Sequence, residues 1–143
     1  MNHEDLLGPW KLKSMEGKNA EGESFHPYGE TPTGMILYDA SGTMSYTVMR
    51  LGRPKFTSKD TRGGTPAEIM AAYEGFDAYC GRYDIDPDRG VIIHHIEACK
   101  YPNWEQSDQV RRFQISGNQL LIEAGPIRIQ GADWKISVVF ERP

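Results

Sequence analysis

Short segments in which apolar and polar residues alternate recur along the chain, each closed by turn-forming residues. Trp10 and Leu12 alternate with Lys11 and Lys13, and Trp134, Ile136, Val138 and Phe140 alternate with Lys135, Ser137 and Glu141. A period of two puts the two sets on opposite faces of an extended strand. Eight such segments read as strands, over 10–16, 35–39, 43–50, 77–86, 91–99, 109–115, 119–123 and 134–141. Between them lie clusters of Gly, Pro, Asn, Asp and Ser, over 19–22, 27–34, 41–42, 86–90, 116–118 and 125–133. Short strands at this spacing predict an all-β fold, an antiparallel barrel or sandwich. One segment breaks the pattern. Thr65-Pro66-Ala67-Glu68 offers an N-cap Thr, a Pro at the first helical position and a Glu three residues after the cap. Ile69, Ala72, Tyr73 and Phe76 follow at helical spacing, so one short helix is predicted. Residues 52–64, basic and containing glycine, read as a loop. No repeat or linker divides the chain, which predicts a single domain over 1–143.

The turn Pro87-Asp88-Arg89-Gly90 sets the register of one hairpin. Pro fixes φ for a type I turn and Gly takes the left-handed position that closes it. Asp86 then pairs with Val91, Tyr83 with His94, Gly81 with Ile96 and Tyr79 with Ala98. One face carries Tyr79, Gly81, Tyr83, Ile85, Ile92, His94, Ile96 and Ala98 and should line the interior. The other carries Cys80, Arg82, Asp84, Ile93, His95, Glu97 and Cys99 and should meet water. The adjacent pair His94-His95 is thereby split, His94 inward beside Tyr83 and His95 outward beside Arg82. In the same register Cys80 opposes Glu97 and Cys99 opposes Ala78. The two sulfurs are then diagonal neighbours, roughly 7–8 Å apart at Cα and too far for an undistorted disulfide.

The inner faces are apolar but punctuated by polar groups: His94, Tyr46, Tyr79, Tyr83, Gln109 and Arg111. Each buried polar group needs a partner, and a small packed barrel has little use for so many. A ligand cavity with apolar walls and a few convergent polar groups does. His94 and Tyr83 form a candidate acid/base pair, since a histidine moves protons near neutral pH and a tyrosine donates to an enolate or carbonyl oxygen; the alternative is a buried histidine satisfied by a tyrosine hydroxyl. Arg111 inside a barrel calls for a ligand oxyanion, for Asp108, or for a place at the mouth with its head in water. Tyr46, Tyr79, Gln109, Arg50 and Trp104 are candidate substrate-binding residues. Arg50 ends its strand and falls at the mouth, Trp104 follows a Pro-Asn turn at the rim, and Trp10 reads as a structural plug at the closed end.

Composition narrows the classes. The 143 residues are 38% hydrophobic and 25% charged with a net charge of −4, which suits a globular domain. No Lys/Arg run exists, so neither nucleic acid nor an anionic membrane is an expected partner. No segment approaches the ~20 apolar residues that span a bilayer. The start MNHEDLLGPWKL lacks the form of a signal peptide, which makes cytoplasmic residence the default. The two cysteines, Cys80 and Cys99, should be free thiols. His94 and His95 diverge, with His3 in the terminus and His26 in a loop, so no metal site is expected. No GxSxG, P-loop, GxGxxG or CxxC motif implies a cofactor.

"LLGPWKL", "GMILYDASGTMSYTVMR", "TPAEIMAAYEGFDAYCGRYDID" and "HHIEACKYPNWEQSDQVRRFQISGNQLLI" together resemble the lipocalin-like domain family of bacteria and fungi. The family shows the same order of parts: a Tyr-x-Gly-x-Tyr strand, a His-containing strand, a Pro-Asn-Trp turn and a Gln-Val-Arg strand. The likeness runs over nearly the whole chain. It implies a closed or nearly closed lipocalin-like β-barrel of about eight strands with one short helix and an internal cavity. By analogy with cofactor-free enzymes of natural-product pathways, it implies an isomerase or cyclase acting on a hydrophobic, oxygen-bearing small molecule. His94 would be the general acid/base, Tyr83 its partner, and Arg111 with Tyr46 or Tyr79 the holder of an enolate or carbonyl oxygen. The alternative is a non-catalytic carrier or sensor of a hydrophobic ligand. The outer face with Arg82, Cys80 and Cys99 is a candidate contact for a homodimer.

Overall fold

In a computed structural model, which describes residues 3–143, the alternating segments form nine antiparallel strands. They are β1 (Gly8–Lys18), β2 (Ser24–Phe25), β3 (Thr33–Tyr38), β4 (Thr43–Met49), β5 (Phe76–Asp86), β6 (Val91–Cys99), β7 (Asp108–Ser116), β8 (Gln119–Ile129) and β9 (Ala132–Glu141). Each of β3 to β8 pairs with the next, β1 pairs with β3, and β9 returns to pair with β1. Eight strands thus close a barrel, and the two-residue β2 extends it along β1 beyond the end of β3. The expected barrel with one short helix is what forms. Closure leaves no long unpaired sheet edge.

Strand parity decides what fills it. Trp10, Ile36, Tyr38, Met44, Ile92, His94, Leu120 and Phe140 are all essentially buried, and their neighbours in sequence are more exposed or face the outside. One end is sealed. Trp10 lies 1% exposed, donates its indole N–H to the Leu6 carbonyl (2.9 Å), and carries the Arg142 guanidinium 3.7 Å above its ring. Arg142 also donates to the Asp5 and Pro9 carbonyls, tying the first turn of the chain to the end of β9. The opposite end is ringed by the long connections β1–β3, β4–β5, β6–β7 and the β8–β9 hairpin.

The helix α1 (Pro66–Glu74) lies in the β4–β5 connection with the expected reciprocal cap: Glu68 N–H donates to the Thr65 hydroxyl, and Thr65 N–H donates to the Glu68 carboxylate. It buries no residue fully. Phe76, expected on its apolar face, begins β5 instead, because the chain leaves the helix at Gly75.

Two departures come from β-bulges. The PDRG hairpin holds as predicted from Asp86↔Val91 to Gly81↔Ile96, with Gly90 at φ 66°. Beyond it Cys80 pairs with Ala98 and Tyr79 with Cys99, because Glu97 is an extra residue on β6. Ala98, expected inside, is therefore exposed, and Cys99, expected outside, packs against the core. Gly81 permits the bulge: a Cβ there would overlap the His95 carbonyl oxygen. Both cysteines are free. In β8 the segment 125–133, read as a turn, is mostly strand. A bulge between Ala124 and Ile127 leaves Gly125 and Pro126 out of the ladder, so the missing proline N–H costs no bond. The turn shrinks to Gln130-Gly131, at φ 51° and 82°. No helix among the described residues is long and apolar enough to cross a membrane.

Candidate functional site

The barrel encloses a cavity of about 880 Å³ that opens at the end ringed by long connections. Its deep walls are apolar, with Met15, Ile36, Ile122, Ile136, Val138 and Phe140 supplied by the inward positions of four strands. The polar lining between the strands gathers on the β4–β7 side, in Tyr46, Asp77, Tyr79, His94, Gln109 and Arg111, and further polar residues, Glu74, Lys100 and Arg128 among them, line the cavity toward its open end.

His94 is 1% exposed, and both its ring nitrogens are engaged. Nε2 lies 2.7 Å from the Tyr38 hydroxyl and Nδ1 lies 2.8 Å from the Tyr79 hydroxyl. Burial, reinforced by the cations of Arg111 and His95, pulls its pKa down to about 3, so the ring is neutral at physiological pH. The expected partner, Tyr83, does stand opposite His94 in the β5–β6 ladder, but its hydroxyl donates to the Asp39 carbonyl at 2.8 Å. Tyr38 and Tyr79 take the partner's place. Tyr83 packs edge-on against Tyr38 (4.9 Å between centroids) beneath the histidine and is not part of the cavity lining.

Arg111 projects from β7 into the cavity and is 7% exposed. It forms no ion pair among the described residues; Asp108, one anticipated partner, binds His95 instead. Its guanidinium donates to the Val110 carbonyl at 3.3 Å, stands 5.5 Å from the centroid of Trp104, and lies against the Tyr79 hydroxyl, where it partly offsets the rise in pKa that burial causes. Tyr46 stacks on Tyr79 at 4.9 Å, and burial pushes the pKa values of both phenols up. Gln109 donates to the Ser107 hydroxyl while lining the cavity. Trp104, half-buried in the 3₁₀ turn Pro102–Trp104, covers Tyr79 and Arg111 from the mouth side. Arg50 is exposed at the mouth, donating to the Pro27 carbonyl.

Three more residues belong to the site. Tyr38 is fully buried behind His94. Asp77 lies two residues before Tyr79 on the same face; burial raises its pKa, opposed by Lys100, by a bond from Ala78 N–H and by Arg111. Lys100 sits at the mouth, 3.9 Å over the Tyr73 ring. Strand parity was the available signal: Tyr38 follows Ile36, and Asp77 precedes Tyr79, each by two.

His95, on the other face, bridges two carboxylates, with Nε2 2.7 Å from Asp84 and Nδ1 2.7 Å from Asp108, and these raise its pKa. Among the described residues no group of three or more His, Cys, Asp or Glu is placed to hold a metal ion.

The model of the lipocalin-like domain matches residues 7–142. The chain is 34% identical, over 98 residues covering 63% of it and 87% of the relative, to the 4'-hydroxy-3'-methoxypropiophenone carrier protein ppsC of Aspergillus oryzae. Among solved structures, bovine odorant binding protein in complex with a selenium-containing odorant superposes with a TM-score of 0.47 at 14% identity, over all of this chain and 73% of that one.

Proposed function

We propose that this chain, which belongs to the lipocalin-like domain family, is a non-catalytic carrier of a hydrophobic, oxygen-bearing aromatic molecule held inside the barrel. The observation that carries this reading is the cavity itself. Its volume of about 880 Å³ suits a small-molecule site, its deep walls are apolar, and the polar groups deep within it gather on the β4–β7 side, where they orient a ligand. The relative ppsC is named for carrying an aryl ketone with phenol and methoxy oxygens, a molecule of this description.

The isomerase or cyclase reading has less behind it. A general acid/base works best with a pKa near the working pH. His94 is held neutral down to about pH 3 and both its nitrogens are occupied by tyrosines, so it is a poor proton carrier in this state.

Titration with 4'-hydroxy-3'-methoxypropiophenone, followed by calorimetry and by quenching of Trp104, is the test. Saturable one-to-one binding, with a Kd on the order of micromolar and the ligand recovered unchanged, is the expected result. Conversion of the bound ligand would overturn the carrier reading in favour of an enzyme. Absence of saturable binding to folded protein would remove this ligand class.

A further inference from the structure

We propose that the inner part of the cavity is an oxyanion site, in which Arg111 and Tyr79 hold an ionised ligand oxygen such as a phenolate and Tyr38, through His94, fixes Tyr79 as a donor toward it. This rests on the carrier reading and adds the charge state of the cargo.

The argument starts from Tyr38. It is 0% exposed, and among the described residues its hydroxyl hydrogen-bonds to one group, Nε2 of His94. A buried O–H that fails to donate forfeits a hydrogen bond. Tyr38 therefore donates to Nε2, and neutral His94 carries its proton on Nδ1. That proton points at the Tyr79 oxygen, 2.8 Å away. Tyr79 thus accepts from His94, and it faces the Arg111 guanidinium as well. Its own proton is left to point elsewhere, and Tyr79, unlike Tyr38, lines the cavity. The relay runs one way, from the sealed wall to the lumen, and ends in a donor.

Arg111 has the same preference. It donates and never accepts, it is 7% exposed, and it forms no ion pair among the described residues. A buried cation in that condition favours an anion beside it. The charged and titratable groups that act on it from β3 to β6 are Tyr38, Tyr46, Asp77, Tyr79 and His94. The tyrosines and His94 are neutral at pH 7. Asp77 is the one carboxylate, and Lys100 acts on it more strongly than Arg111 does. Lys100, which Glu74 also faces, is therefore the main cation beside Asp77, and Arg111 keeps no carboxylate of its own among the described residues.

The test uses 4'-hydroxy-3'-methoxypropiophenone, whose phenolate absorbs at longer wavelength than its phenol. Absorbance is followed against pH with the protein saturated. The bound phenol should titrate about one unit or more below the free one, which is a tenfold preference for the anion. Arg111→Gln should abolish the shift and weaken binding of the phenol more at high pH than at low pH. Tyr38→Phe should reduce the shift although Tyr38 does not touch the cavity, and Tyr79→Phe should do the same. If a variant fails to fold, the wild type with the O-methyl ether answers instead: the ether's affinity should not change with pH while that of the phenol rises. A bound pKa equal to or above the free value overturns the oxyanion site and leaves the carrier reading standing. No saturable binding removes both.

Discussion

Two histidines adjacent in sequence occupy opposite walls of β6, and the protein treats them in opposite ways. On the inner wall His94 is 1% exposed, faces two tyrosine hydroxyls, and has its pKa pulled down to about 3 by burial. On the outer wall His95 has its side chain 36% exposed, bridges Asp84 and Asp108, and has its pKa raised. Their linkages to stability carry opposite signs. Unfolded His94 takes up a proton near 6.5 while the folded form stays neutral to about 3, so it costs stability as pH falls through that interval. Folded His95 keeps its proton to a higher pH than the unfolded chain does. Its contribution is full below 6.5 and is lost as pH rises through its folded value. The same side chain, one residue apart, is a neutral relay on one wall and a charged clasp on the other. Which partners surround it decides the difference, and strand parity decides the partners.

Breaking the inner wall should have the largest effect. His94→Ala removes a buried ring and leaves the Tyr38 hydroxyl without its partner. A loss of roughly 3–5 kcal/mol is expected, by analogy with other buried rings cut to Ala, measured by urea unfolding at pH 7.5. His94→Gln, which can still hydrogen-bond, should lose less. A loss for His94→Ala near that of an exposed site would mean that the tyrosines repack freely and that the relay is not fixed.

Acid should then narrow the gap between wild type and His94→Gln. The wild-type contribution of His94 declines by up to about 1.4 kcal/mol per pH unit below 6.5, and the variant has no such group. Unfolding free energies compared at pH 7.5, 6, 5 and 4 test this. A constant gap would show that His94 titrates at its ordinary value in the fold.

The register that separates the two histidines was readable in advance, and its limit marks where sequence stops informing. PDRG supplied a turn with a known geometry, so counting outward from Asp86↔Val91 placed Tyr83 opposite His94 correctly. The count failed at Glu97, because a bulge is an agreement between two strands and leaves little trace in either one. Gly81 was its only local sign. The same reason hid the length of β8, where Gly125-Pro126 carries turn chemistry but sits in a bulge. Of the polar lining, Tyr46, Tyr79, His94, Gln109 and Arg111 followed from alternation alone. The hydroxyl partners did not, since which tyrosine reaches His94 depends on how the closed barrel brings β3 across to β6. Tyr38 is 56 residues from His94 in sequence, and nothing local links them.

Gly81→Ala sharpens the comparison from the backbone side. The added methyl meets the carbonyl of His95, the residue that must stay on the outer wall. Relief requires shifting the bulge, at a cost of about 1–3 kcal/mol by analogy with overpacked cores. Slower amide exchange at Ile96 and Cys99 than in wild type would contradict this, since it would mean that the ladder tolerates the methyl.

The smallest effect is expected on the outer wall, and its pH dependence is what identifies it. His95→Ala removes a clasp whose carboxylates are largely exposed, with Asp84 at 75% and Asp108 at 64%. Water and salt screen such pairs, so the loss at pH 6 should stay below about 1 kcal/mol. As pH rises through the raised folded value, the loss should fall toward zero, because a neutral ring cannot donate to both carboxylates. Added salt should shrink the pH 6 value and leave the effect of His94→Ala unchanged. If the His95→Ala loss were the same at pH 6 and above that folded value, the proton on His95 would contribute nothing to stability. The opposition between the two walls would then be one of packing alone rather than of charge.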